Sequence, residues 1–93
     1  MSQLNTFIVV YDLFKPGQNY TALINLIQKN TYWAKIGLSA YIIKTYSDHI
    51  QVRSELLKVL DKSDKLFVGA VSAPAAWFNL GTQVDNWIQS NLK

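Results

Sequence analysis

The chain has 93 residues, enough for one domain with a single core, and about half of them are apolar while 16% are charged. This composition excludes a disordered chain, because disordered segments lack the apolar surface that offsets chain entropy. The absence of cysteine excludes a disulfide framework and a thiolate metal site, and it favours a reducing, cytoplasmic compartment. The formal charge of +3 comes mostly from lysines scattered along the chain.

The N-terminal half predicts a strand, a helix and a hairpin. The β-branched and aromatic run from 5 to 14 predicts a central strand covered on both sides, and Pro16 with Gly17 predicts the turn that ends it. Apolar residues at spacings of three and four follow, which predicts a helix capped by Asn19. From 32 to 46 the alternation predicts a hairpin with Gly37 at a turn or bulge, and its better strand covers 38 to 46.

The C-terminal half predicts a helix, a strand and a last helix. Ser47 or Asp48 caps the second helix, whose apolar positions again follow helical spacing. The next strand covers 66 to 71, and the chain then breaks at Pro74. The last helix covers 82 to 92, with Thr82 as its predicted cap.

This order predicts one α+β domain over 1–93, with a ferredoxin-like βαββαβ antiparallel sheet. Helices are expected on one face of the sheet. The core is expected over about 5–72, and 73–93 is expected to form a C-terminal helical appendage.

So high an apolar fraction in so small a domain favours a homodimer. The apolar run 7–10 is too short for a signal peptide or a membrane span, so no membrane segment is predicted.

Asp12 is the one residue that breaks a local pattern, because every immediate neighbour in the strand is apolar or aromatic. A carboxylate at the C-terminal end of a central strand can point into the crevice where α/β sheets bind ligands, and its oxygens suit Mg²⁺. Alternatively, Asp12 accepts hydrogen bonds from backbone amides of the turn at 15–18, or pairs with Lys15 or Lys44. The other acidic residues are expected in helices or turns away from this strand end.

One carboxylate does not make a metal site, so two copies of Asp12 across a twofold axis would have to share one cation. The single histidine, the scattered serines and the dispersed glycines predict no second metal ligand, hydrolase triad or phosphate loop. Aromatic residues between lysines can stack on single-stranded bases. However, the strand 66–71 has one aromatic residue and only Lys65 beside it, which favours core or dimer contacts for the aromatics.

Several short stretches of the chain carry a resemblance to a known family. The run from Val9 to Leu13, followed by the helix, the hairpin and 66–71, resembles the CRISPR-associated adaptation nuclease family, the second of the Cas proteins, and its VapD toxin relatives. The match is closer to short bacterial proteins labelled SinR-like, through 11–20, Asp64-Lys65-Leu66 and Ala75-Ala76-Trp77.

The resemblance implies a ferredoxin-like homodimer in which strand-end aspartates of both subunits bind Mg²⁺ and cleave RNA or DNA. Asp12 matches that catalytic and metal-binding position, and Lys15 and Lys44 are the predicted nucleic-acid contacts. The family usually carries several arginines and lysines just after the aspartate, whereas this chain has only Lys15 there. The expectation is therefore a nuclease with weak or lost activity, or else a non-catalytic dimeric module that binds nucleic acid or protein in a defence or toxin system.

Overall fold

A computed structural model describes residues 3–14, 20–30 and 32–92. The described residues form four strands and three helices, which confirms the predicted α+β class and the hairpin in its middle. In chain order the elements are β1 (Asn5–Asp12), α1 (Tyr20–Gln28), β2 (Tyr32–Gly37), β3 (Ala40–Thr45), α2 (His49–Leu57), β4 (Lys65–Ala70) and α3 (Thr82–Asn91). The predicted turn at Pro16 and Gly17 and the predicted cap Asn19 lie outside the described residues.

The strands form one sheet in the order β2-β3-β1-β4, and every neighbouring pair is antiparallel. β1 is central, as predicted, and pairs with β3 from Asn5↔Thr45 to Val10↔Ala40 and with β4 from Phe7↔Ala70 to Asp12↔Lys65. A register shift between Lys35 and Gly37 marks the predicted irregularity at the glycine. The first strand is therefore held on both sides by strands that come much later in the chain.

The core lies between one face of this sheet and the helices α1 and α2. Alternate residues of β1 point toward the helices, because successive side chains of a strand point to opposite faces. The buried cluster on this face comprises Phe7, Val9, Tyr11, Leu13, Leu23, Ile27, Tyr41, Ile43, Val52 and Leu56. Asp48 caps α2 as predicted, and its side chain and that of Gln51 form a reciprocal capping box.

The opposite face of the sheet is covered over only one half. The α3 residues Ile88 and Leu92 are buried there, together with Ala34 of β2 and Ile42 of β3. The last helix packs on this face through Ile88, and Gly81 precedes it as the cap, while Thr82, the predicted cap, is its first residue. The expectation that β1 is covered on both sides is wrong at its C-terminal end, where Val10 and Asp12 are exposed on this face.

The connection between β4 and α3 is anchored at both ends by hydrogen bonds. The amide of Val71 donates to the carbonyl oxygen of Thr6 at 3.1 Å, which continues the β1–β4 pairing by one residue. Trp77 Nε1 donates to Asp85 Oδ1 at 2.7 Å, and Asp85 Oδ2 also accepts from Gln89 at 3.1 Å. These bonds fix the start of α3 against the chain that leads to it. No helix in the described part of the chain is long and apolar enough to cross a membrane.

Candidate functional site

Asp12 is the last residue of β1 and lies on the sheet face that α1 and α2 do not cover. It pairs in register with Lys65, the first residue of β4, so a carboxylate and an ammonium group sit on neighbouring strands at the same end of the sheet. Both residues are exposed. Among the described residues no hydrogen bond or ion pair engages either side chain, which leaves the Asp12 oxygens open to a ligand.

The pair next to Asp12 and Lys65 is apolar. Val10 of β1 faces Phe67 of β4, and these side chains are 39% and 62% exposed. The four residues border a shallow cavity of about 260 Å³ on the open half of the sheet. The end of the sheet therefore presents a carboxylate, a cation and an aromatic ring on one continuous surface, and we call this the open-half site.

Asp64 also lies at this end of the sheet, although the sequence predicts that it lies away from the end of the Asp12 strand. Its Oδ1 accepts from the amide of Phe14 at 2.8 Å, and its Oδ2 accepts from the amide of Asp61 at 2.8 Å. The signal that could have found it is topological: a strand that pairs antiparallel with β1 must begin where β1 ends, which puts the residue before Lys65 beside the residue after Asp12. The end of β1 and the turn before β4 thus meet through Phe14 and Asp64.

The residues of one chain do not make a complete metal site. No group of three metal-ligating side chains occurs within the described ranges. Asp64 is close by in the fold, but both of its oxygens accept backbone amides. At this strand end the described residues of one chain therefore offer one open carboxylate, and a second copy of Asp12 would add another.

Of the two predicted lysine contacts, Lys44 lies away from Asp12. Lys44 pairs with Thr6 at the start of β1, about 20 Å from Asp12 at roughly 3.3 Å per residue. Its Nζ donates to the carbonyl oxygen of Asn91 at 3.1 Å. A positive charge at this position also interacts favourably with the C-terminus of α3. An Asp12–Lys44 pair is therefore wrong. Lys15 and the turn amides at 15–18 lie outside the described residues. Lys65 is the cation that the fold places beside Asp12.

Beneath the open-half site, on the helix side of the sheet, the hydroxyl of Tyr11 is buried. It has no hydrogen-bond partner in the part of the chain that the structure describes. Burial raises the pKa of the Tyr11 phenol above its ordinary value, and the nearby phenols of Tyr41 and Tyr20 raise it further. The Tyr20 ring lies 6.2 Å from the Tyr11 ring. Tyr11 is thus held neutral next to Asp12 and does not donate to it, because alternate residues of a strand point to opposite faces.

A wider surface depression, of about 560 Å³, lies between α1 and α2 and contains none of the predicted site residues. Polar and apolar side chains alternate along it, including the exposed ion pair of Glu55 and Lys58 at 3.0 Å. Such exposed pairs contribute little to stability. Size alone therefore does not identify this depression as a functional site.

Comparison of the chain with protein-family models, with curated proteins and with solved structures gives no match.

Proposed function

We propose that this chain is a homodimeric, metal-dependent nuclease of weak activity, in which Asp12 of each copy contributes to one shared cation site. The observation that carries the proposal is the exposed Asp12 carboxylate at the end of the central strand, which no described residue engages. Mg²⁺ binds through one or two protein carboxylates and completes its shell with water and substrate phosphates. Two Asp12 side chains would supply that number.

The proposal includes a ferredoxin-like fold, which the strand order supports. The strand order β2-β3-β1-β4, read from the other edge, is 4-1-3-2, and each helical crossover joins two strands that have a third between them. This order supports a split βαβ, ferredoxin-like arrangement as part of the proposal. The side chain of Phe14, 69% exposed and two residues beyond Asp12, offers an apolar contact for a second copy at the same strand end.

The cation, when bound, would supply Lewis acidity toward a phosphodiester oxygen. The chain's own contribution would be to hold two carboxylates at fixed positions on rigid strand ends. In this proposal the Asp64 carboxylate is a positioning group, because it holds the backbone of Phe14 just after Asp12. The predicted cytoplasmic location fits such a role, since nucleic acid and Mg²⁺ are both present there.

A second candidate function is a non-catalytic dimeric module that binds nucleic acid or protein. It is favoured by the single open carboxylate of each chain and by the bond from Lys44 to α3, which leave the site with little charge for phosphodiester chemistry. In this case Asp12 contributes to recognition rather than to cleavage. Lys15 stays a predicted nucleic-acid contact.

The test is cleavage of labelled single- and double-stranded RNA and DNA with Mg²⁺, Mn²⁺ or a chelator. Wild type is compared with Asp12→Asn and with Glu55→Gln, which makes the same charge change on an exposed α2 residue on the other side of the sheet. Metal-dependent cleavage that Asp12→Asn abolishes and Glu55→Gln retains supports the nuclease. Absence of cleavage, or equal cleavage by all three proteins, rejects it. A monomer by light scattering at micromolar concentration rejects the shared cation site.

A further inference from the structure

The ring of Phe67 lies on the outer face of β4 in a position that depends on Gly69. A Cβ atom on residue 69 would lie 2.7 Å from Cε2 and 2.8 Å from Cζ of Phe67, which is closer than such atoms approach in proteins. The ring therefore occupies the space that a side chain at 69 would fill, and it extends along the strand rather than into the core. Despite this contact the side chain is 62% exposed, so much of the ring is open to a ligand.

The groups around the ring correspond to the parts of a nucleotide. Lys65 precedes Phe67 by two residues on the same strand face and offers a cation to a phosphate. Asp12, which pairs with Lys65, lies at the same end of the sheet, where the proposed function places the cation. Val10 forms the apolar floor beside Phe67. These groups are within two residue pairs of each other along β1 and β4.

The exposed apolar area around Phe67 is too small for a protein interface by itself and is large enough for one planar ligand. The exposed parts of Val10 and Phe67 together amount to roughly 200 Å², whereas a standard interface buries about 800 Å² on each partner. A base that stacks on one aromatic ring needs no larger apolar area. The chain also carries a net charge of +3, which attracts polyphosphates.

We propose that the open-half site binds single-stranded nucleic acid, with one base stacked on Phe67 and the adjoining phosphate next to Lys65. Stacking on a protein ring requires a base whose face is free, and a base inside a duplex has both faces covered by its neighbours. The site therefore selects single strands. The inference deepens the proposed function by naming its substrate class, and its binding step is independent of the shared cation.

The test is a binding measurement without metal, which separates it from cleavage. Fluorescence anisotropy of labelled single-stranded oligonucleotides in chelator is measured for wild type, Phe67→Leu and Phe67→Trp. Leucine keeps an apolar side chain but has no π-face, and Phe78→Leu makes the same change at another exposed phenylalanine on the connection before α3. We expect Phe67→Leu to weaken binding at least about fivefold, and Phe67→Trp to bind as tightly as wild type or tighter. Phe78→Leu is expected to bind like wild type.

The contribution of Lys65 has its own readout. Replacing it with glutamine is expected to lower the slope of log affinity against log salt by about 0.7, the value for one phosphate contact on a single strand. Lys29→Gln, at the exposed residue that follows α1, is the matched control and is expected to leave the slope unchanged. An unchanged slope in Lys65→Gln contradicts a phosphate contact at this residue.

Several results would overturn the stacking proposal. They are no binding by wild type, equal binding by Phe67→Leu, or equal loss in the Phe78→Leu control. Tighter binding of the matching duplex would also reject it. If Phe67→Leu instead turns a dimer into a monomer in light scattering while affinity is kept, a second copy occupies the ring. Binding that depends on Phe67, without cleavage, supports this inference and rejects the nuclease; cleavage that depends on Asp12 but not on Phe67 does the reverse.

Discussion

The sheet face that points away from α1 and α2 has two halves that differ in what covers them. Over β2 and β3, α3 buries Ile42 and Ile88. Over β1 and β4, Val10 and Phe67 remain partly open to solvent. The two halves have similar apolar side chains, so the difference arises from where the C-terminal helix lies rather than from strand composition. The covered half therefore contributes buried apolar contacts, whereas the open half leaves apolar side chains exposed.

The largest expected effect tests the covered half. Ile88 is 3% exposed, and Ile88→Ala is expected to lower the free energy of unfolding by about 2–5 kcal/mol, because it removes buried methyl groups and leaves a cavity. Phe67→Ala removes a larger side chain from the open half but is expected to cost less than about 1 kcal/mol. Urea unfolding measures both, with Ser90→Ala on the exposed side of α3 as the control. Equal losses at the two positions would show that the open half is buried in solution.

An intermediate effect is expected where hydrogen bonds, rather than burial, hold the open half together. Asp64→Ala removes the acceptor of the Phe14 and Asp61 amides and is expected to cost about 1–3 kcal/mol, whereas Asp64→Asn keeps one acceptor and is expected to cost less. Amide hydrogen exchange at Phe14 should accelerate more in Asp64→Ala than in Asp64→Asn. Ser63→Ala is the neighbouring control. Unchanged protection of Phe14 in Asp64→Ala would contradict this contribution.

The smallest effect concerns the helix side of the sheet, where the hydroxyl of Tyr11 is buried. Tyr11→Phe removes the unpartnered hydroxyl and is expected to raise the free energy of unfolding by about 1 kcal/mol. Urea unfolding at neutral pH measures this change, and Tyr46→Phe on an exposed residue is the control. A clear loss of stability in Tyr11→Phe would mean that the hydroxyl has a partner.

The same variant tests the pH dependence. The folded pKa of Tyr11 lies above its ordinary value of about 10, so the unfolded chain loses this proton first as the pH rises. The neutral phenol's contribution is complete below about pH 10 and is lost as the pH rises through the folded pKa. Wild type should therefore lose stability more steeply than Tyr11→Phe above pH 10. Parallel curves would contradict a buried, neutral Tyr11.

The elements could be predicted from the sequence because hydrophobic periodicity and capping are local properties. The alternation of Tyr41 and Ile42 predicts the two faces of β3, and the place of Ser47 and Asp48 before a helical pattern predicts that one of them caps α2. The position of α3 could not be predicted in this way. Val84 and Ile88 mark one apolar face of a helix, but no local pattern indicates which part of the sheet that face will cover.

The same limit applies to the candidate site. Asp12 stands out in the sequence because it interrupts an apolar run, which is a local property. Asp64 and Lys65 are ordinary turn and strand-start residues by composition. Their importance comes only from the antiparallel pairing of β4 with β1, which is a long-range property of the fold. The alternative in which Asp12 pairs with Lys44 is wrong for the same reason. Strand register determines which end of β1 Lys44 faces, and it faces Thr6.

The order of strands in the sheet has a consequence for how the chain acquires its structure. The β2–β3 hairpin is the one strand pair, within the described ranges, that forms between neighbours in sequence. β1 is made first but waits for β3 and then β4, because Phe7 pairs with Ile43 on one side and with Ala70 on the other. Closing such long loops slows folding, since chain entropy is lost before the contacts form. During synthesis the apolar β1 therefore leaves the ribosome well before its partners, and it is the segment most exposed to aggregation in that interval.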